Sequence, residues 1–328
     1  MINTKFKNIK LKLIGLMSVL NTNSMDQKQS NVNNVIKELQ DKRDQLGEII
    51  QDQIKNYFIY KISKESDLQN ILSESKPDII IHTAGMNAQD CINDPEKALK
   101  VNGLFTAKLV RFAILKNVKK IIYFSTVHVY DNPLKGSISE NLCTKNLHPY
   151  STSNLAGEHI ILQAHQSKKI QGIVFRLSNC IGAPLQKNVN CWKLLVNDLC
   201  RQIVEHREMN IYSNCKQVIS FVPISEVCRL IEYFLELNFK SNENTIFNVA
   251  NKKSMTILQI AKKIQKRSEI LLKYKPSLNI LNKDNTNVEN LKFKTNKLET
   301  IRFNLKTEYD NEIDDLLIFC NNNFKRLN

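Results

Sequence analysis

The sequence has little that could build a metal centre, a disulfide framework or a membrane span. Its eight cysteines include no C-x-x-C pair and have no histidine-rich neighbourhood, so we expect neither a metal site nor a set of disulfides. No apolar run reaches the roughly 18 residues that a membrane helix requires, and we expect no membrane partner. Free thiols are typical of a reducing compartment, which favours a cytoplasmic protein.

Clustered positive charge is also missing. The chain has 47 Lys and Arg against 32 Asp and Glu, which gives a formal net charge of +15. The lysines are dispersed among asparagines and isoleucines, without a block of five or six and without interleaved aromatic residues. Because a nucleic-acid-binding face needs clustered charge, we expect no nucleic-acid partner and keep such binding only as a minor alternative.

Glycine is scarce near the start of the chain. Residues 8–20 have the pattern of a buried first strand. The lysines at positions 5, 7, 10 and 12 precede the apolar residues 13–20 and so resemble the start of a signal peptide, but no small-residue cleavage site follows, which favours the strand. A phosphate-binding turn after this strand would need several glycines, because they let the backbone approach a phosphate at a helix N-terminus. Only Gly15 is present, and the polar residues 21–24 follow it.

The most informative stretch is 121–154. An apolar run ends at the hydroxyl residues Ser125 and Thr126, and Tyr150 begins an amphipathic segment, which together predict a strand, a loop and a helix. A hydroxyl at the carboxyl end of a parallel strand and a phenol on the next helix can meet over a ligand. Tyrosine is a useful acid or base only when a nearby cation lowers its pKa from about 10. One helical turn after Tyr150 the sequence has Asn154.

The segments 124–130 and 149–154 together resemble the extended short-chain dehydrogenase/reductase family. Its members are NAD(P)-dependent epimerases, dehydratases and reductases of nucleotide sugars, and a Ser/Thr with a Tyr-x-x-x-Lys pair is their catalytic signature. The resemblance implies catalytic positions at Thr126, Tyr150 and Asn154, with asparagine in place of the lysine. It also implies NAD or NADP as cofactor and a nucleotide sugar as the small-molecule partner, and it leaves a homodimer open.

Two further segments extend this resemblance on the cofactor side. Residues 76–85 resemble the family's Pro-Asp-x-x-x-His-x-Ala-Ala strand, which implies that Ala84 and Gly85 contact the cofactor, as does Ser125. Residues 94–102 resemble a helix whose asparagine braces the active site, which here is Asn102. Within the first of these segments, a histidine at the end of an apolar strand, His82, is more readily a neutral structural residue than a base.

On the substrate side, residues 176–184 resemble the family's Arg-x-x-Asn-x-x-Gly-Pro turn, which implies that Asn179 contacts the sugar nucleotide. Asn190 begins a segment that resembles the part of the family reaching toward the nucleotide. Ile219 stands where the family has an arginine that binds the diphosphate. Residues 256–261 resemble the family's helix with a threonine N-cap.

The predicted fold class is α/β, a Rossmann-type doubly wound parallel sheet with a smaller C-terminal substrate-binding lobe. We expect residues 1–184 to form the dinucleotide-binding domain and residues 185–328 mainly the lobe, with some segments returning to the main domain. Two functional hypotheses remain at this point. One is an enzyme of nucleotide sugars with weak or lost activity, and the other is a catalytically silent relative that uses the fold for binding or assembly.

The first testable prediction concerns cofactor affinity. Without the glycines, the backbone N–H groups of the first helix cannot approach the pyrophosphate closely, so NAD(P) should bind much more weakly than in typical family members. Titration of NAD(H) and NADP(H), followed by the fluorescence of the single tryptophan, Trp192, measures this. Saturation at micromolar cofactor would show the prediction to be wrong.

Overall fold

The computed structural model describes residues 14–15, 65–282 and 290–324. Most of the predicted first strand and the whole polar segment 21–24 lie outside these ranges. The chain forms two compact units that alternate along the sequence. The first comprises Met1–Phe124 and Ser153–Ile173, and the second comprises Ser125–Thr152 and Val174–Asn328.

The strands are β1 Ile14–Gly15, β2 Ile79–His82, β3 Lys120–Thr126, β4 Gly136–Ile138, β5 Gln171–Leu177, β6 Asn179–Ile181, β7 Glu208–Ile211, β8 Val218–Ile219, β9 Phe221–Pro223, β10 Ile246–Val249, β11 Met255–Thr256, β12 Ser277–Ile280 and β13 Leu291–Phe293. The α-helices are α1 Glu65–Ser75, α2 Ala88–Asn93, α3 Pro95–Ala98, α4 Phe105–Leu115, α5 Pro149–Gln166, α6 Leu195–His206, α7 Ile224–Glu236, α8 Ile257–Leu272, α9 Asn296–Thr300 and α10 Asp310–Phe324. A π-helix, Leu99–Leu104, separates α3 from α4, and a 3₁₀ turn, Val127–Val129, follows β3.

In the first unit, strands β1, β2 and β3 lie side by side in parallel. Ile80 of β2 pairs with Ile14 on one side and with Ile121 on the other. The N–H of Gln171, at the start of β5, donates to the carbonyl of Lys119. Strands β2 and β3 are apolar and buried along most of their length, as parallel strands covered by helices on both faces must be. These positions confirm the strands predicted from the apolar runs.

In the second unit, β5 continues and pairs in parallel with β10, where Phe175 lies opposite Phe247. Further parallel pairs join β4 with β13, β6 with β9, and β7 with β12. A separate apolar core draws residues from α6, α8 and α10, including Leu199, Ile260 and Leu316. The predicted threonine cap of α8 is confirmed by a complete capping box between the residues at positions 256 and 259.

Helix α5 approaches β3 closely at Gly157. A Cβ atom built at this position would lie 2.5 Å from the Tyr123 hydroxyl oxygen, 2.7 Å from the ring carbon Cζ and 2.9 Å from the Asn102 carbonyl. Such contacts are too short for a real side chain, so the observed separation of helix and strand requires glycine here. Helix α5 also carries Asn154, so this packing helps to set the position of that side chain.

We expect Gly157→Ala to lower the free energy of unfolding by about 1–3 kcal/mol, because α5 or Tyr123 must shift to make room for the methyl group. Gly85→Ala is the matched control, since its Cβ would lie 3.5 Å from Asn102 Oδ1, an ordinary contact distance. Urea denaturation of both variants measures the difference. Equal stability of the two proteins would contradict the packing argument.

Candidate active site

The turn after β3 fixes Thr126. This residue is 3% exposed, and its Oγ1 accepts a hydrogen bond from the backbone N–H of His128 at 3.2 Å, which caps the 3₁₀ turn. Because Oγ1 acts as an acceptor in this bond, the hydroxyl hydrogen remains able to donate to a ligand. Ser125, the predicted cofactor contact beside it, is also buried.

The first turn of α5 fixes Tyr150 in the same unit. His148 immediately precedes the helix, and its Nδ1 accepts the backbone N–H of Tyr150 at 3.1 Å, as an N-cap side chain does. The carbonyl of His128 accepts two side-chain hydrogen bonds, from Ser151 Oγ at 2.9 Å and from Asn146 Nδ2 at 2.7 Å. The second unit therefore ties the backbone beside Thr126 to the backbone beside Tyr150.

Asn154 lies one turn further along α5, in the part of the helix that belongs to the first unit. Its side chain is 5% exposed, and its Oδ1 accepts a hydrogen bond from the Tyr123 hydroxyl at 3.3 Å. An amide carries no charge, so it cannot favour tyrosinate as the family's lysine does. In this chain the residue binds α5 to β3.

Asn102 braces the first unit from within the π-helix. It is fully buried, its Oδ1 accepts the backbone N–H of Met86 at 2.8 Å, and its Nδ2 donates to Ser153 Oγ at 2.8 Å. The loop after β2, which includes Ala84 and Gly85, is thereby held against α5. Single π-helical turns are frequent at functional sites, and this one places the asparagine between two elements.

His82 is buried at the end of β2 and is neutral at pH 7. Burial lowers its pKa from the ordinary value of 6.5 to about 4. Its Nε2 lies 2.8 Å from Thr106 Oγ1, and this hydroxyl donates its own hydrogen to the Asn102 carbonyl. Nε2 must therefore be the donor, which leaves Nδ1 as a buried acceptor without a partner in the described part of the chain.

The predicted substrate residues lie in the second unit. Asn179 stands at the start of β6, and its Nδ2 reaches the Ser220 carbonyl at 3.5 Å, the outer limit of a hydrogen bond. Asn190 is exposed in the segment before α6, where Trp192 Nε1 donates to the Lys187 carbonyl at 2.8 Å. The side chain at the position of the diphosphate-binding arginine, Ile219, lies on β8 and carries no charge.

Two features of this region are absent from the sequence-based predictions. Tyr123 is the hydrogen-bond partner of Asn154. A tyrosine within an apolar strand does not indicate that its hydroxyl will contact a residue 31 positions away. His128 lies in the turn after Thr126, and His148 lies at the start of α5. The position of His128 within the motif, between Thr126 and Tyr130, could have marked it as a residue near the site.

Comparison with known proteins identifies the family. The model of the NAD dependent epimerase/dehydratase family matches residues 23–250, more than half of the chain. This chain belongs to the NAD-dependent epimerase/dehydratase family. The family resemblance seen in the sequence motifs is thereby confirmed.

The relatives that the chain resembles are named for activities on nucleotide sugars. It is 27% identical to a GDP-6-deoxy-D-talose 4-dehydrogenase of Aggregatibacter actinomycetemcomitans over 202 residues, which are 61% of this chain and 65% of that protein. The match to a dTDP-D-glucose 4,6-dehydratase of Bos taurus, 27% identical, covers 64% of this chain and 58% of the relative. The chain thus spans less than two thirds of the length of these relatives.

Solved structures of the family share the fold. RMD from Pseudomonas aeruginosa, complexed with NADPH, aligns with a TM-score of 0.68 and 18% identity over 81% of this chain and 87% of its own. UDP-glucuronic acid 4-epimerase from Bacillus cereus, in complex with UDP-glucuronic acid and NAD, aligns with a TM-score of 0.63 and 20% identity, covering 79% and 80% of the two chains. The predicted Rossmann-like α/β fold with a parallel sheet is therefore confirmed.

Within 65–282 and 290–324, no group of three or more His, Cys, Asp or Glu side chains is arranged to hold a metal ion. In those same ranges, every helix is too short or too polar to cross a membrane.

The buried state of His82 predicts a pH dependence of stability. The unfolded chain binds a proton near pH 6.5, while the folded chain does so only near pH 4. Between these values the unfolded state holds more protons, so stability falls on acidification, by up to about 3 kcal/mol from this residue. We expect His82→Phe, measured by urea denaturation from pH 7 to pH 4, to lose less stability than the unmodified protein. His159→Gln, at an exposed position, should keep the original slope.

Proposed function

We propose that the protein binds a nucleotide sugar and supports slow NAD(P)-dependent oxidation or reduction at a sugar carbon. The observation that carries this proposal is the double hydrogen bond to the His128 carbonyl, which fixes the first turn of α5 to the turn that follows β3. These two turns carry Tyr150 and Thr126, the acid/base positions of the family. The chain has kept the polar contacts that hold them together, although it has lost the lysine.

Residues of the first unit fit a dinucleotide. The chain after β2 continues with the buried Ala84 and the exposed Gly85, and Gly85 has no side chain to hinder the approach of a flat ligand. Asn102 holds this loop through the Met86 N–H, so the loop is pre-organised before any ligand arrives. We propose that these residues and Ser125 contact NAD or NADP, within a dinucleotide-binding region comprising residues 1–184.

In the proposed reaction the chain's own groups move the proton. NAD(P), when bound, exchanges a hydride with the sugar carbon. The Tyr150 phenol exchanges a proton with the hydroxyl or carbonyl oxygen on that carbon, and the Thr126 hydroxyl donates a hydrogen bond to the same oxygen. Asn179 and Asn190 are proposed contacts of the nucleotide sugar, within the mainly substrate-binding lobe of residues 185–328.

A second candidate function has an observation of its own. Asn154 uses its side chain to bind Tyr123 within the first unit, which is a packing role. A chain that has converted a catalytic position into a packing position fits a silent relative that binds a nucleotide sugar without turnover. General acid/base catalysis contributes a factor of about 10² to 10⁴ in rate, and the absence of the lysine should cost a factor of that order.

Substitution of Asn154 separates the two candidates. Asn154→Lys puts a cation on the helical face of Tyr150, and each unit by which it lowers the phenol pKa corresponds to about 1.4 kcal/mol. We expect no gain at micromolar NAD(P), since a lysine does nothing without a bound nicotinamide. At millimolar cofactor, turnover of UDP-glucose, dTDP-glucose or GDP-mannose should rise about tenfold per unit.

The controls are Asn154→Met and Tyr150→Phe. Methionine has nearly the length of lysine without its charge, so it reproduces the loss of the Tyr123 contact and should give no gain. Tyr150→Phe should abolish turnover in every background. Turnover that survives Tyr150→Phe would contradict the acid/base role of Tyr150. A complete lack of turnover in both the unmodified and the lysine protein at millimolar cofactor would favour the silent relative.

A further inference from the structure

The loop that follows β2 is bound at both backbone groups of a single residue, Met86. Its N–H donates to Asn102 Oδ1 at 2.8 Å. Its carbonyl oxygen lies 3.5 Å from Cys91 Sγ, and the thiol donates the hydrogen bond. Cys91 lies in α2, so the loop is bound to this helix as well as to the π-helix that carries Asn102. Met86 directly follows Gly85, and its two bonds therefore constrain the segment proposed to contact the cofactor.

The Cys91 thiol is suited to donate this bond. It is fully buried, and burial raises its pKa from the ordinary value of 9.0 to about 11, so the sulfur keeps its proton at neutral pH. The backbone N–H of Cys91 bonds to the carbonyl of Asn87, the N-cap of α2, at 3.0 Å. The side chain of Asn87 accepts the N–H of Asp90 in the same helix. The thiol therefore extends from a backbone position that is itself fixed.

The same thiol helps to set the orientation of the Asn102 amide. Asn102 Nδ2 donates to Ser153 Oγ at 2.8 Å and lies 3.9 Å from Cys91 Sγ. A side-chain amide donates only through its nitrogen and accepts only through its oxygen. Because Nδ2 faces two acceptors, Oδ1 faces the N–H of Met86. The opposite orientation would place Nδ2 against that N–H and break all of these bonds.

This set of contacts is closed to water on one side and open to a ligand on the other. Cys91, Asn102 and Ser153 are fully buried, and all three lie in the first unit. A hydrogen bond lost among them is not replaced by water, so its loss acts on the backbone of Met86. Gly85, the neighbouring residue, is exposed. The loop is thus held from its buried side, and its exposed side remains free to receive a dinucleotide.

We propose that Cys91 is a positioning residue for cofactor binding, because its thiol holds the Met86 carbonyl and the Asn102 amide. Through these two groups it fixes the path of the loop at Ala84 and Gly85. This inference rests on the proposed function, in which the loop contacts NAD or NADP. The thiol then contributes to the affinity for the dinucleotide. It leaves the proton transfer unchanged, since its bonds are to groups that take no part in that step.

The variants Cys91→Ala and Cys91→Ser test this as a pair. Both remove the sulfur and leave a similar space, but only serine keeps a hydroxyl that can donate and accept. We expect the Kd of NAD⁺ from equilibrium dialysis to rise about two- to tenfold in Cys91→Ala, as for the loss of one hydrogen bond, and to recover largely in Cys91→Ser. With UDP-glucose, dTDP-glucose or GDP-mannose as substrate, the KM for NAD(P) should rise by the same factor, while kcat and the KM for the sugar stay unchanged.

The matched control is Ile71→Val, which removes a buried methyl group from α1, outside this set of contacts. It should leave the affinity for NAD⁺ as it is in the unmodified protein. An unmodified protein that binds NAD⁺ together with a Cys91→Ala protein of equal affinity would overturn the inference and leave the proposed function intact. An unmodified protein that does not bind NAD⁺ at millimolar concentration would reject the proposed function and, with it, the cofactor role of Cys91.

A second measurement examines the loop without any ligand. Amide hydrogen exchange of the Met86 N–H, followed by NMR, should be about two- to tenfold faster in Cys91→Ala than in the unmodified protein. Cys91→Ser should restore most of the protection, and Ile71→Val should not alter it. Equal exchange rates in Cys91→Ala, Cys91→Ser and the unmodified protein would show that the thiol does not hold the loop, and the inference would fall whether or not NAD⁺ binds.

Discussion

The structure of the first unit depends on the close contact between helix α5 and strand β3. Gly157 permits an approach that no other residue allows, and the Tyr123 hydroxyl fills the space directly above it. That hydroxyl then binds Asn154 on the next turn of the same helix. The packing contact and the hydrogen bond involve the same tyrosine, so together they fix both the distance between this part of α5 and β3 and the rotation of the helix about its axis.

The polar groups around α5 are arranged so that few are left without a partner. Asn102 uses both ends of its amide, and Ser151 and Asn146 share one carbonyl. Buried polar groups that are paired in this way restrict a site to one geometry, since breaking any bond leaves a donor or acceptor uncompensated.

Charge is the property in which the chain departs from the family resemblance. Asn154 and Ile219 are neutral at positions where that resemblance implies cations, while the lysines that give the chain its net charge are dispersed along the sequence. Dispersed surface charges do not lower the pKa of one phenol, because exposed charges are screened beyond about 10 Å.

The sequence alone determined the order of the elements and the fold class. The apolar runs that became β2, β3 and β5 stand out because parallel strands are buried on both faces, and the Thr256 cap stands out because its chemistry is local. Thr126, Tyr150 and Asn102 could be named as site residues because their motifs are contiguous in the chain. Such motifs do not indicate the hydrogen-bond partners that are distant in the sequence.

Only the tertiary structure decided what those residues contact. The pairing of Tyr123 with Asn154, the bond from Ser151 to the His128 carbonyl, and the tautomer of His82 all depend on residues 23 to 31 positions apart, which come together only in the folded chain. Side-chain periodicity specifies which face of an element is buried and does not specify which neighbour it meets. For this reason the sequence identified Asn154 as a missing lysine, whereas the structure identified it as the residue that fastens α5 to β3.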